Sequence, residues 1–342
     1  MRAPASTRSP AASAEALALH KEHPAIDLHA DTPMWMRWLG YDIHAHHEPP
    51  LWRAAIGGHV DIPRMREGGM AAQFFGLVSL PIARSKGPAR AINEQIDVLE
   101  ETLGRDKTDL RLVRSGAELE AAEKDGALGA FLGIEGAHAL EGDFDNLEHF
   151  ARRGVRYLGL MHFSSNEAGF PAYGKGRRDD EGLTPWGREL VLRCSDLGVL
   201  ADMAHINRRG FLEACALTRL PPICSHTGVL GAFDHWRNID DDQLRAIADR
   251  GGIVSVIFCP RYLGADGLEP VVKHMKHVLD VVGEDVPALG SDWDGFIVPT
   301  KQLKDPRGLP LLTEALLAAK IPPSTIGKIL GGNVRRVLRQ LQ

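Results

Sequence analysis

Short apolar runs of strand length recur along the chain, each bounded by Gly, Pro or Asn: residues 25–33, 70–80, 126–137, 155–166, 198–207, 221–228, 251–260 and 286–295. Between them lie stretches with a period near 3.6 and one charged face, such as 89–104, 184–198, 208–220, 241–251 and 271–283. Near-continuous apolar strands alternating with amphipathic helices specify a parallel sheet covered on its outer side, and about eight such units close into a (β/α)8 TIM barrel. An open doubly wound sheet is the competing topology. Thr184 before Pro185 and Asn207 before Arg208 read as helix caps, and Gly251-Gly252 as a helix stop. The segment 325–341 reads as a closing helix pair broken at Gly331-Gly332.

No linker composition divides the chain, so residues 23–342 are expected to form one catalytic domain, preceded by a flexible tail over 1–22. Within that tail, 12–20 has the pattern to start a docking helix. The formal charge of -5 offers no basic face for a nucleic acid, and no run approaches a membrane span or a secretory signal. Cys194, Cys215, Cys224 and Cys259 lack CxxC spacing and sit in apolar surroundings, which suits reduced, core-packed thiols in a cytoplasmic protein.

The polar punctuation of the strands changes the picture from fold to chemistry. His29 and Asp31, Glu135, His162, His205, His226, and Asp292 with Asp294 stand at the C-terminal ends of six of the runs. In a closed parallel barrel those ends meet at one face, where such barrels carry their sites. Strand alternation sends His29 and Asp31 to the same side, and imidazole with carboxylate is a donor set suited to zinc-class ions. His205, His226 and Glu135 supply a second set, with Glu135 as the natural bridge. Bridged ions roughly 3.5–4 Å apart sharing a hydroxide are the usual arrangement for two-metal hydrolysis. Asp292 is then placed to orient or deprotonate that water. Against this reading, a lone histidine at a strand end is more often a hydrogen-bonded structural group, and for His162 alone the two readings balance. His23, His44, His46, His47, His59, His149, His274 and His277 fall in loops or on helix faces and read as surface residues. The run 44–50 is set apart because three neighbouring histidines suit an adventitious metal.

With those residues in place, the chain resembles the membrane (renal) dipeptidase family of zinc peptidases and its soluble bacterial members. The likeness runs from about Asp27 to Leu338 through separated motifs, among them DLHADTP, GIEGAHAL, YLGLMHFSSNEAG, LGVLADMAHIN, ICSHTG, HWRNIDDDQL and ALGSDWDG. It implies two Zn2+ per chain, one held by His29, Asp31 and Glu135 and the other by Glu135, His205 and His226. It also implies that His162 contacts substrate or the tetrahedral intermediate, that Asp292 handles the proton, and that Arg237 pairs with the terminal carboxylate of a dipeptide, with Asn238 and Asp240 shaping that loop. A guanidinium fork matches a carboxylate independently of any resemblance. Tolerance of a C-terminal D-residue and a homodimer are further implications. Departures from the family pattern fall at Ala30, Thr227-Gly228 and Trp293, where an altered pocket is expected. Two other functions compete. One is a binuclear amidohydrolase acting on N-acyl amino acids, cyclic amides or lactones, weakened because no strand end carries the lysine such enzymes use as a bridge. The other is a metal-binding barrel without turnover, which the presence of Asp292 and Arg237 argues against.

Overall fold

The computed structural model describes residues 12–48, 57–79, 87–105 and 109–341. Nine parallel strands form its sheet: β1 (Ala25–Ala30), β2 (Met70–Val78), β3 (Leu110–Leu112), β4 (Leu128–Glu135), β5 (Val155–Gly159), β6 (Leu200–Asp202), β7 (Ile223–Thr227), β8 (Ile253–Val256) and β9 (Pro287–Leu289). The order β2-β1-β9-β8-β7-β6-β5-β4 is closed by a direct β2–β4 pairing from Ala72↔Gly129 to Val78↔Glu135. The result is the (β/α)8 TIM barrel. The eight expected runs each contain one of these barrel strands, although Leu80 of the second lies outside the described residues. The added strand, β3, is three residues long and pairs with Leu128–Ala130 of β4, below the place where Leu132–Ile134 pair with β5. Its sequence is too short to show a period.

All eight barrel strands contribute to one buried cluster, including Ile26, Phe74, Phe131, Tyr157, Ile223 and Ile253. A cluster fed by every strand fills the lumen, so the barrel is a packed core with its open face reserved for the strand ends. The alternate residues, such as Phe75, Leu132, Leu158 and Val254, pack outward with Leu190, Phe211 and Leu244 of the surrounding helices.

Local signals act as expected at the caps. Thr184 accepts from Gly187 N at the start of the helix Pro185–Asp196, and Asn207 from Gly210 N at the start of Arg208–Leu217. The helix Asp241–Ala248 ends before the glycine pair, and Gly251, at φ 68°, makes the left-handed turn that follows. Two expectations need correction. Residues Ala14–Glu22 form a helix capped by Ser13, so over this part the flexible tail gives way to the docking helix read within 12–20, and buried His20 of that helix bonds Gly68 O at 2.6 Å and Thr313 Oγ1 at 3.0 Å; residues 1–11 lie outside the described residues. The pair Gly331-Gly332 does not break the last helix, because Lys328–Gly332 form a wide π-helical turn continuous with Asn333–Leu338. A Cβ on Gly331 would lie 2.9 Å from Pro24 O, so glycine there permits close approach to the start of β1. The four cysteines are free and buried, and burial pushes their thiol pKa values up. Among the described residues no helix is long and apolar enough to cross a membrane.

Candidate active site

The strands deliver their polar residues to one face, by two different devices. His29 and His226 sit inside strands where the register slips. Asp27 and Ala30 of β1 face Gln73 and Phe75 of β2, and Cys224 and Thr227 of β7 face Val254 and Val256 of β8, three steps against two in each case. A β-bulge of this kind re-aims a side chain that strict alternation would send elsewhere. Glu135 is the last residue of β4 and Asp31 follows β1 directly. His162, His205 and Asp292 are not on strand ends as expected; each lies three residues beyond β5, β6 and β9. His205 and Asp292 hold φ of 65° and 62°, a left-handed conformation that costs a non-glycine residue roughly 1–2 kcal/mol and is concentrated at functional sites.

These side chains converge on Glu135. Its Oε1 lies 3.1 Å from His205 Nε2, 3.4 Å from His226 Nε2 and 3.7 Å from His29 Nε2, and its Oε2 lies 3.6 Å from His162 Nε2. His29 Nε2 is also 3.3 Å from Asp31 Oδ1 and 3.8 Å from Asp292 Oδ1, and the Nε2 atoms of His205 and His226 face each other at 2.9 Å. His29 and His226 stack at 4.1 Å. All seven residues are at least nine-tenths buried.

Burial sets the protonation of the cluster. It would lower His29, but the carboxylates of Asp31, Glu135 and Asp292 outweigh it and hold that imidazole up to about 10. Burial, reinforced by Asp31, pushes Glu135 well above the usual carboxylate range, and burial lifts Asp292 to about 8. Burial drives His205 and His226 well below the usual imidazole value, with Arg237 and His29 adding to the effect, and takes His162 down to about 3. Burial thus favours the neutral forms of Glu135, Asp292, His162, His205 and His226, and the one imidazole that stays cationic, His29, is the one ringed by carboxylates. The donor set fits zinc-class ions, and the buried Nε2 of His29 and Oδ1 of Asp31 have no hydrogen-bond partner. Residues within reach of a common centre include His29 with Asp31 and Glu135, His29 with His226 and Asp292, and Glu135 with His162 and His205.

A supporting layer escaped sequence reasoning. Tyr157 OH bonds His29 Nδ1 at 2.7 Å, and Ser225 Oγ bonds His226 Nδ1 at 2.9 Å while donating to Asp202 Oδ2 at 2.6 Å. Such partners fix the ring orientation and leave each Nε2 facing the centre. Gly133 is the trace of this layer in the sequence, since a Cβ there would lie 2.0 Å from the Tyr157 ring. Asp27 accepts from Ser291 N at 2.6 Å, Ser291 Oγ at 2.7 Å and Gln73 Nε2 at 2.6 Å, anchoring the turn that carries Asp292.

Several expected roles change. Asp294 is a latch: its Oδ1 accepts from His59 N at 2.8 Å and its Oδ2 from Thr32 Oγ1 at 2.6 Å. His59 and His274, read as surface residues, are buried, and their Nδ1 atoms accept from Asp294 N and Val229 N. The histidines of 44–50 do not converge. His44 bonds Thr102 O, His46 pairs with Glu67 and His47 with Asp61, while Pro49 and Pro50 lie outside the described residues. Trp293 is buried, donating to Leu303 O at 2.8 Å, so it does not reshape the pocket. Nor does Gly228 open space, because a Cβ there would lie 2.2 Å from Asn238 Oδ1. Asn238 gives its amide to Phe233 O and Tyr262 O, a brace for the loop, and Asp240 caps the next helix. Arg237 is 4% exposed and donates to His226 O at 2.6 Å, with a terminal nitrogen 3.4 Å from His205 Nε2. Among the described residues no carboxylate forms an ion pair with it. None of the nine strands carries a lysine.

Comparison with known proteins agrees with this site. The chain is 32% identical over 264 residues to an uncharacterized protein in the pqqA 5' region of Klebsiella pneumoniae, covering 74% of this chain and 97% of that one. Its fold is similar to that of a metallo peptidase from Rhodobacter sphaeroides crystallised with a phosphinate mimic of the dipeptide L-Ala-D-Ala, with a TM-score of 0.81, 26% identity and coverage of 93% and 99%. It is similarly close to the dipeptidase AC, a metallo peptidase of family M19, with a TM-score of 0.80, 27% identity and coverage of 93% and 98%. The model of the membrane dipeptidase family, peptidase family M19, matches residues 13–342. The chain therefore belongs to the membrane dipeptidase family and is a metal-dependent hydrolase.

Proposed function

We propose that this chain is a binuclear zinc dipeptidase that cleaves the peptide bond of dipeptides, including those with a C-terminal D-residue. The observation that carries the reading is the burial of Arg237, without a carboxylate of its own, beside the imidazole and carboxylate cluster round Glu135. His29, Asp31 and Glu135 would hold one zinc, and Glu135, His205 and His226 the other. When bound, the pair supplies an activated water and a Lewis acid for the scissile carbonyl.

The chain's own residues do the rest. Arg237 takes the substrate's terminal carboxylate as a charge-assisted pair, which limits the site to substrates whose free carboxylate lies one residue from the cut. His162, kept neutral by burial, offers an N–H to the oxygen that gains charge. Asp292, 3.8 Å from His29 Nε2 beside the residues that would hold zinc, receives a proton and passes it to the departing amine. The tolerance of a D-residue rests on the L-Ala-D-Ala mimic held by the Rhodobacter sphaeroides relative.

Purified protein supplied with zinc should contain close to two equivalents by elemental analysis and should cleave members of a panel of L,L and L,D dipeptides. Absence of bound metal after supplementation would remove the proposal. Arg237→Gln is expected to raise KM for dipeptides by about 10–100-fold, the loss of one charge-assisted bond. The same change should matter little for dipeptide amides, which lack the carboxylate; an equal loss on both substrates would make Arg237 a structural prop. Tyr157→Phe should keep the fold and weaken zinc binding by about 10–100-fold, read by competition with a chelator. Unchanged affinity would show that the His29 ring needs no such support.

A further inference from the structure

His205 sits in a closed circuit of contacts that the chemistry assigned so far does not use. Its ring meets that of Phe163 edge-on at 4.9 Å between centroids, and Phe163 in turn lies 4.5 Å from the ring of His162. Its carbonyl accepts from Ala172 N at 2.7 Å, so the segment that follows β5 folds back against it. The next residue, Tyr173, stacks on Trp236 at 4.2 Å. Trp236 precedes Arg237, whose terminal nitrogen returns to His205 Nε2 at 3.4 Å.

The backbone holds Phe163 in this place. Phe163 O accepts from Lys175 N at 3.0 Å and Ser165 N donates to Lys175 O at 2.9 Å, which bridges the two arms of the loop. Gly174, at φ 115°, permits the close approach, since a Cβ there would lie 2.1 Å from Phe163 O. Yet the Phe163 ring is 39% exposed and Tyr173 is 50% exposed. Apolar rings fixed at the rim of a buried polar centre and left facing solvent have the form of a binding wall. Between Trp236 and His205 lies a recess of about 170 Å³, lined also by Ala172, Ile206 and Arg237. The other charged residues of its lining cancel, Arg177 with Asp179 at 2.6 Å and Arg208 with Asp240 at 2.5 Å. What remains is one guanidinium beside apolar and aromatic surface.

We infer that Phe163 and Trp236 form a subsite for the side chain of the substrate's second residue, and that it selects dipeptides ending in a large apolar, above all aromatic, residue. The inference rests on the dipeptidase reading, because the carboxylate on Arg237 fixes where the second residue lies. Carboxylate and side chain leave the same α-carbon. A side chain whose carboxylate is held by Arg237 therefore starts two bonds from that anchor and meets the rings that circle His205. An aromatic side chain there gains edge or offset contacts in addition to the area it buries.

The test compares kcat/KM of the zinc-loaded enzyme for Ala-Phe, Ala-Leu, Ala-Ala and Phe-Ala, each with an L or a D second residue and read in the form cleaved faster. Ala-Phe should exceed Ala-Ala by about tenfold or more, chiefly through KM, with Ala-Leu between them. In Phe163→Ala the Ala-Phe to Ala-Ala ratio should fall by about three- to tenfold, the worth of one aromatic pair, with zinc retained. Phe163→Tyr should keep the native ratio. An equal loss on both substrates, or loss of zinc, would make Phe163 a prop for the rings of His162 and His205 and overturns the subsite. A native ratio near one, with Ala-Ala cleaved well, overturns it too and leaves the dipeptidase reading standing. So does a preference confined to Phe-Ala, which places the apolar side chain in the first residue. If every dipeptide is inert with zinc bound, the dipeptidase reading fails and the subsite falls with it.

Discussion

Glu135→Gln is expected to reduce dipeptide turnover by about 10³-fold or more at limiting zinc, with loss of tightly held metal from both positions. The substitution keeps the shape of the side chain and removes its charge. In the native chain the two carboxylate oxygens lie within 4 Å of four imidazoles, those of His29, His162, His205 and His226. Among the described residues Glu135 is the carboxylate with ion-pair contacts to both His29 and the His205–His226 pair; Asp31 and Asp292 make theirs to His29. An amide would present a neutral oxygen to one side and an N–H to the other. One group of donors would then face a hydrogen where it needs a lone pair. Elemental analysis of the variant, beside activity measured against free zinc concentration, checks this. Two equivalents of zinc retained at native activity would mean that Glu135 bridges nothing. High zinc rescuing turnover while the affinity stays low would fit a weakened bridge.

The fold was legible because it depends on repetition. Apolar runs of strand length alternating with amphipathic helices recur eight times, and closure follows from that count, so errors of two or three residues at each boundary do no harm. The line of β3 is the exception, with three residues giving no pattern to find. The site was legible for a different reason. His29, Glu135 and His226 are chemically conspicuous at the ends of apolar runs, and the parallel barrel brings those ends together whatever the loops do.

What sequence could not supply was aim. Strict alternation from Ile26 and Leu28, both packed in the lumen, would turn His29 outward; the bulge against β2 brings it back. His205 and Asp292 reach the centre from beyond their strands through left-handed backbone, which Asp and His adopt more readily than most side chains but which the sequence does not specify at these two positions. Sequence also could not separate the histidines that converge on Glu135 from those that brace the backbone. His59 and His274 are as buried as the site histidines, yet each is spent on a backbone N–H. The same holds for Asp294, two residues from Asp292 and equally conspicuous in the motif, whose oxygens are taken by His59 N and Thr32. What distinguishes the centre is convergence: His29 Nε2 lies within 4 Å of carboxylate oxygens of Asp31, Glu135 and Asp292, whereas His59, His274 and Asp294 each spend an atom on bracing a backbone N–H.

That distinction gives Asp292 its own test. Asp292→Asn is expected to keep both zinc ions and to lower kcat by about 10²–10⁴-fold, the usual worth of a positioned acid or base. Asparagine is well suited to the replacement because it tolerates the left-handed φ of 62° at least as readily as aspartate, and the backbone bond from Asp292 N to His29 O at 3.1 Å is untouched. KM should change little if Arg237 takes the substrate's carboxylate as proposed. The pH profile should change as well. Burial lifts Asp292 and bound cations would draw it down, so the zinc-loaded native enzyme should lose kcat as pH falls through the lowered value, and the variant should lack that limb. Zinc content and the profile together separate this residue from Glu135: one variant is metal-replete and slow, the other metal-poor. A variant with native kcat and an unchanged acid limb would move the proton-carrying role elsewhere, with His162 the next residue to substitute.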